Sequence, residues 1–232
     1  MSGERVRTLA DVYACADQAY VEALAEMADL RVKGWWEDYA GKIGAAALDL
    51  AELEHHACAL RNFGVAHLPG LLQTEEYARA VFGTAIPEHL PAQLRLGLSF
   101  RMRRRDVLDR DDPPQCTFLV HELALRLDFG GPAVMRLQLN RLLEASERPG
   151  IEVRAIPIAA GGFAMVGASS IEYADGPVPQ LDTVVYDTAT GAHFLDAPAV
   201  LDKYRTVLRR MERIALSRSA TRDFVSNIVK QL

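Results

Sequence analysis

The sequence predicts an α+β domain, with helices flanking a small, mostly antiparallel sheet, an N-terminal helical segment and a C-terminal amphipathic helix pair. Three observations predict it. Apolar residues recur at helical spacing up to Pro113-Pro114, and a β-rich texture begins after that pair. The strand-like runs beyond it are mostly consecutive in sequence, which favours α+β over a doubly wound sheet. An unbroken apolar stripe then runs from Val200 and Leu201 through Tyr204, Val207, Leu208 and Met211 to Ile214 and Ala215.

Residues 1–40 form the N-terminal helical segment and 41–232 the body. Leu9, Val12 and Tyr13 share one helix face. Asp17 offers an N-cap for a second helix carrying Tyr20, Leu24, Met27 and Leu30–Arg31, which Gly34 is placed to end. Trp35 and Trp36 bracket a turn, with at least one ring plugging a seam against the body. Gly41 to Gly44 is a loop. Asp49 and Glu52 mark a helix start, with Leu50, Leu53, Ala57 and Leu60 at core spacing. Residues 63–68 read as a strand and Pro69-Gly70 as a turn. Thr74 caps the next helix, and Pro91 opens a longer one through Leu108.

After the double proline, Thr117–Val120 is β-rich, and Gly130-Gly131-Pro132 precedes a helix through Leu143. Ile151–Ile158 is a strand interrupted at Pro157, and Gly161-Gly162 turns the chain. Strands follow near 169–173, 182–187 and 192–195, with Asp187–Gly191 as a hairpin loop. In the C-terminal stripe Lys203, Arg205, Arg209, Arg210 and Arg213 point away from the apolar side. A final helix starts near Ser219.

Composition bounds the function. The chain has 232 residues, half of them apolar and a quarter charged, with a net charge of −5, which is ordinary globular usage. No apolar run reaches the roughly 18 residues that cross a bilayer, and Met1 to Arg5 opens no apolar signal core. Three widely spaced cysteines, Cys15, Cys58 and Cys116, read as reduced thiols, so a cytoplasmic setting without membrane is expected. Within residues 101–112 five arginines face four aspartates, a net of +1, which is no phosphate track. By itself the chain is not expected to read DNA.

Glu52, His55 and Cys58 at i, i+3 and i+6 could chelate a metal from one helix face, but no second cluster completes such a site. The simpler reading is Cys58 in the core with the histidines at its rim. Cys116 and His121 sit five apart on a strand, so their side chains point to opposite faces, and no catalytic motif appears elsewhere. No metal or cofactor is expected. Glu122 with Arg126, Gln138, Gln73, and Arg101 with Arg104 on one helix face could line a polar pocket for an anionic or amide ligand. Against this stands a plain structural ion pair between Glu122 and an arginine.

The run Leu68-Pro69-Gly70-Leu71-Leu72-Gln73-Thr74-Glu75-Glu76-Tyr77-Ala78-Arg79-Ala80 resembles the P-G-L-L-Q-T-x-x-Y-A-R-A signature of a domain in actinobacterial XRE-type helix-turn-helix regulators. There it follows the DNA-reading module and is often described only as antitoxin-like or of unknown function. Lys33–Trp36, Arg101-Met102 with Arg104, Glu122–Arg126, Gly130–Pro132, Gln138-Leu139, Val185-Tyr186 and Ala215–Ser217 are similar and in the right order. Two positions depart: Phe63–His67 stands where a Tyr-Glu-Pro-Gln type segment is usual, and Arg105 replaces a glutamine.

The resemblance implies a regulatory domain that binds a small-molecule effector or a small partner protein, forms a homodimer, and meets DNA only through a helix-turn-helix module. Residues 5–14 look like only the tail of that module, so either an excised regulatory half or a reader-less paralogue is expected. The expected ligand contacts are Gln73, Arg101, Arg104, Glu122, Gln138 and His67. Two alternatives stay open. One is a stand-alone small-molecule binder or pathway enzyme reusing the fold, which His67, Glu122 and Arg104 within hydrogen-bond reach would favour. The other is a purely structural interaction module.

Overall fold

A central strand with partners on both sides organises the molecule. The computed structural model describes residues 2–30, 33–86, 88–163, 170–188 and 191–232. Within them, β1 (Ala59–Gly64), β2 (Gln115–His121) and β3 (Ile151–Ile156) run parallel. Strands β4 (Ser170–Asp175), β5 (Thr183–Thr188) and β6 (Gly191–Leu195) pair antiparallel, and β4 joins the halves by lying antiparallel to β1. The sheet order is β3-β2-β1-β4-β5-β6, a mixed sheet in an α+β fold.

The parallel half needs long crossovers. From β1 to β2 the chain passes through α4 (Glu75–Phe82) and α5 (Pro91–Arg104). From β2 to β3 it passes through α6 (Glu122–Arg126) and α7 (Pro132–Ala145). One sheet face packs Leu60, Phe118, Val120, Val153 and Ala155 against Leu139 and Leu142 of α7 and against α9 (Arg218–Val229). The other packs Phe63, Leu119, Ile171, Tyr173 and Val184 against Leu201, Leu208 and Met211 of α8 (Pro198–Ile214). The two C-terminal helices therefore lie on opposite faces. The Leu216 N–H between them donates to Ala155 O at 2.8 Å.

The N-terminal helices α1 (Gly3–Val12) and α2 (Gln18–Asp29) pack on each other, with Gly3 N–H donating to Asp29 Oδ1 at 2.8 Å. Asp17 caps α2 through Tyr20 N–H at 3.0 Å, and Thr74 caps α4 through Tyr77 N–H at 3.3 Å, as their spacing predicts.

Several expectations are corrected. α3 (Ala45–His56) begins after Gly44, so Asp49 and Glu52 lie in its body and do not start it. It also stops at His56, and Leu60 belongs to β1, which occupies 59–64 and not 63–68. A strand paired on both sides must bury alternate residues to opposite faces. Leu60 and Phe63 do so, while residues 65–67 only bend away. Leu108 sits in the 3₁₀ turn Arg105–Asp109 that follows α5.

Gly34 does not close α2. It precedes the 3₁₀ turn Trp35–Tyr39, where a Cβ at position 34 would lie 2.1 Å from the Trp36 ring. That close approach lets Trp36 bury against Tyr39, Ala51 and Phe100. Arg205 turns inward from α8, its Nη2 donating to Asp182 Oδ2 at 2.6 Å. Met1, the expected helix end at Arg31, the strand start at Ser169 and loop residues 189–190 lie outside the described residues. Among the described residues no helix is long and apolar enough to cross a membrane.

Candidate functional site

Strands β1 and β4 pair Leu60 with Ala174, Asn62 with Glu172, and Gly64 with Ser170. Side chains alternate along a strand, so all six positions face the same side of the sheet, the side opposite α8. Along this row the chemistry passes from apolar to polar to small. Where it becomes small, a cavity of about 650 Å³ opens. Ala46, Ala47 and Leu50 of α3 and Arg101 and Arg104 of α5 wall it, and Val185, Asp187 and Ala192 extend its floor across β5 and β6.

Behind the cavity, Glu54 of α3 is 1% exposed and paired with Arg104 of α5, itself 8% exposed. Two parallel bonds join them, Nε to Oε2 at 2.8 Å and Nη2 to Oε1. Burial alone would lower the Arg104 pKa, but the charge and hydrogen bonds of Glu54 hold it above its ordinary value. Glu172 has no such partner. Its Oε2 accepts Asn62 Nδ2 at 3.1 Å, while Oε1 meets no N–H or O–H donor. Burial, and next the neighbouring Glu54 charge, push its pKa up to about 8, so it keeps its proton at neutral pH and shares it with Glu54.

Among the described residues three buried side-chain atoms lack a hydrogen-bond partner: Asn62 Oδ1, Arg141 Nε and Glu172 Oε1. Two of the three belong to residues lining this cavity. Both atoms are closed to solvent, so they lie behind the cavity's surface, and the proton that Glu172 shares with Glu54 serves one of the two residues.

At the mouth, Arg101 Nη1 donates to Gln73 Oε1 at 2.8 Å, and Gln73 Nε2 donates to Leu68 O at 2.8 Å. The guanidinium lies 5.1 Å from the centre of the Phe82 ring, a cation–π distance. Burial and the nearby Arg104 lower its pKa to about 10, which leaves it charged at neutral pH. His67 lines the same wall, its pKa lowered by burial and then by Arg101, which keeps the ring neutral. Gly64 makes that placement possible, because a Cβ there would lie 2.5 Å from His67 O.

The structure thus brings four expected residues together: His67, Gln73, Arg101 and Arg104. It places the other two elsewhere. Gln138 is fully buried on α7, its Oε1 accepting Thr74 N–H at 2.7 Å and its Nε2 donating to Leu72 O at 2.9 Å. Glu122 accepts Arg126 Nε at 2.6 Å and Ile158 N–H at 2.9 Å, outside the cavity. Burial works upward on its pKa, but the Ile158 N–H and Arg126 hold it below the usual range. His67, Glu122 and Arg104 therefore form no shared cluster.

Cys58 lies beyond the end of α3 and is exposed, so Glu52, His55 and Cys58 do not share a helix face. Among the described residues no metal-holding group of His, Cys, Asp or Glu is found. Cys116 is buried, and burial pushes its thiol up to about 12, a poor nucleophile at neutral pH.

Asn62, Glu172 and Glu54 were not expected. The signal of Asn62 and Glu172 in the sequence is a polar residue inside an otherwise apolar strand, as in Ser170-Ile171-Glu172-Tyr173-Ala174, whereas Glu54 sits among other polar residues of α3 and carries no such signal. A larger cavity of about 890 Å³ lies between α2, α3 and the chain around Pro177, lined by Trp35, His55 and Asp175. Asp175 is already paired with Arg61 at 2.9 Å, and among the described residues that cavity holds no buried unpartnered side-chain atom. The smaller cavity is therefore the better candidate. A fixed guanidinium, a neutral carboxyl, an amide and a neutral imidazole suit recognition of a small polar molecule.

Residues 47–227 match the family described as Domain of unknown function (DUF5753). No curated protein and no solved structure matches the chain.

Proposed function

The chain belongs to the family described as Domain of unknown function (DUF5753), and we propose that it is the effector-binding half of an XRE-type helix-turn-helix transcriptional regulator. One observation carries this reading: a cavity walled by a fixed arginine, Arg101, which Gln73 and the Phe82 ring position and which makes no ion pair among the described residues. A half-buried charge left without a counter-charge costs stability that a bound anionic group would return. The P-G-L-L-Q-T run adds support, because it builds one wall: Pro69, Gly70 and Gln73 all line the cavity.

Binding would act through a second state of the domain, since a ligand shifts an equilibrium only by its differential affinity for two states. The states are alternative homodimer geometries or alternative affinities for a small partner protein, passed on to attached DNA-reading helices. The cavity suits that role, because its walls come from α3 and α5 while its floor is the sheet. A ligand bridging them would fix the helices relative to the strands.

The test uses the full regulator, with its DNA-reading module. Operator affinity and dimerisation are measured for the parent and for Arg101→Gln, with and without a metabolite extract of the host cell. The expected result is an extract-dependent change in the parent that the variant loses while keeping its melting temperature. An identical response in both proteins would sink the reading.

A further inference from the structure

We propose that the cavity binds a monocarboxylate with an apolar tail, its two oxygens on the open Nε–Nη2 edge of Arg101 and its tail against α3. This rests on the effector-cavity reading above and adds the ligand class.

Two arginines one helical turn apart on α5 are used in different ways. Arg104 holds both oxygens of the Glu54 carboxylate with Nε and Nη2, the two donors that point the same way from one edge of the guanidinium. Arg101 is fixed by its other nitrogen. Its Nη1 donates to Gln73 Oε1 at 2.8 Å, and Gln73 is itself tied to Leu68 O. Gly70 leaves space for this, because a Cβ there would lie 3.1 Å from Nη1. The Nε–Nη2 edge of Arg101 is thus the same fork, and among the described residues it donates to no acceptor. Neither atom is among the buried ones that lack a partner. Unlike Asn62 Oδ1 and Glu172 Oε1, they are therefore open to the cavity that Arg101 lines.

Charge selects the headgroup. Among the described residues lining the cavity, Arg104 is already committed to Glu54, and the His67 ring is kept neutral by burial and by Arg101. One unmatched positive charge remains, at Arg101. A carboxylate matches it in charge and in its two coplanar oxygens, as Glu54 does on Arg104. A phosphate monoester would bring a second negative charge to a wall that holds Asp187 and no further unpaired cation among the described residues. An amine would meet the guanidinium with like charge.

The tail follows from the rest of the lining. Ala46, Ala47 and Leu50 of α3, Val81 of α4 and Val185 of β5 give the cavity apolar surface. Its volume of about 650 Å³ holds a whole small molecule and not a headgroup alone. An alkyl or aryl tail would leave water there without stranding a polar group of its own.

The test is calorimetry and thermal shift on the full chain with octanoate and 4-phenylbutanoate. Four probes each change one feature: acetate has no tail, octanol no charge, octylamine the opposite charge and octyl phosphate a second negative charge. The expected result is saturable binding of both carboxylates, with octyl phosphate weaker. Acetate, octanol and octylamine should bind at least about tenfold weaker, an ordinary effect of one lost charged or apolar contact. Arg101→Gln should erase the difference between octanoate and octanol. If that variant fails to fold, Arg101→Lys serves: it keeps the charge without the fork, and should weaken octanoate while leaving octanol as it was. Equal binding of octanoate and octanol by the parent would overturn the proposal. Tighter binding of octyl phosphate than of octanoate would also overturn it, although the effector reading would stand. If no probe binds, the proposal fails, and a metabolite extract of the host cell decides the rest. An extract that stabilises the parent but not Arg101→Gln keeps the effector reading, and one that acts on both alike or on neither removes it too.

Discussion

Asp182, just before β5, and Glu172 of β4 are two buried acids that the protein treats in opposite ways. Asp182 is 4% exposed, and both its oxygens are satisfied. Oδ1 accepts Gly176 N–H at 2.9 Å, and Oδ2 accepts Tyr173 O–H at 2.8 Å and Arg205 Nη2 at 2.6 Å. Glu172 is 8% exposed, receives one amide N–H, and keeps its proton for want of more. Tyr173 and Glu172 are adjacent on β4 and so point to opposite faces. One face receives Arg205 from α8, while on the other the available arginine, Arg104, is already committed to Glu54. A satisfied buried acid stabilises a fold. An unsatisfied one is stability given up, and here it lies beside a cavity.

That contrast can be broken in order of expected effect. Arg104→Ala should cost most, about 3–5 kcal/mol in urea unfolding, because it strands the Glu54 carboxylate in the interior. A cost under about 1 kcal/mol, typical of exposed pairs, would show that the pair is not shielded from solvent. Asp182→Asn comes next, at roughly 2 kcal/mol, since it removes the charge-assisted bond to Arg205 and forces one donor against the acceptors' partners.

Glu172→Gln should behave differently, and its effect should depend on pH. The folded protein holds the Glu172 proton up to about pH 8, far above the value for an unfolded glutamate. The stability this proton supplies is complete below the unfolded pKa and is lost as pH rises through the folded one. The variant should therefore gain on the parent steadily between those limits and level off above them. A flat difference across that window would contradict the reading. The smallest effect belongs to Arg126→Ala, about 0.5 kcal/mol or less, because its partner bond to Glu122 is at the surface. Ligand response in that variant should be unchanged, and a lost response would return Glu122 to the site.

Much of this fold was legible in the residues. Asp17 and Thr74 announce their helices by side-chain chemistry that acts over three residues, and the apolar stripe of α8 is a local repeat. The boundary of α3 and β1 was not legible, because Ala57 and Leu60 continue the three-residue spacing of α3, and only pairing with β2 and β4 on both sides ends the helix. At the site, Arg101, Arg104, Gln73 and His67 could be picked out as polar residues on otherwise apolar elements. Glu122 and Gln138 looked similar but are tied to local partners. Asn62 and Glu172 escaped because each is a single polar residue in a buried strand. Their meaning lies in a register pairing across 110 residues of chain, which no local pattern carries.

The most direct measurement follows the carbon-13 carboxyl resonance of Glu172, identified by its loss in Glu172→Gln, from about pH 4 to about pH 10, bracketing the ordinary carboxylate range. The expected midpoint is about 8, held there by burial and the neighbouring Glu54. A midpoint near the ordinary glutamate value would mean that Glu172 is as well satisfied as Asp182, and the contrast between the two acids would fail.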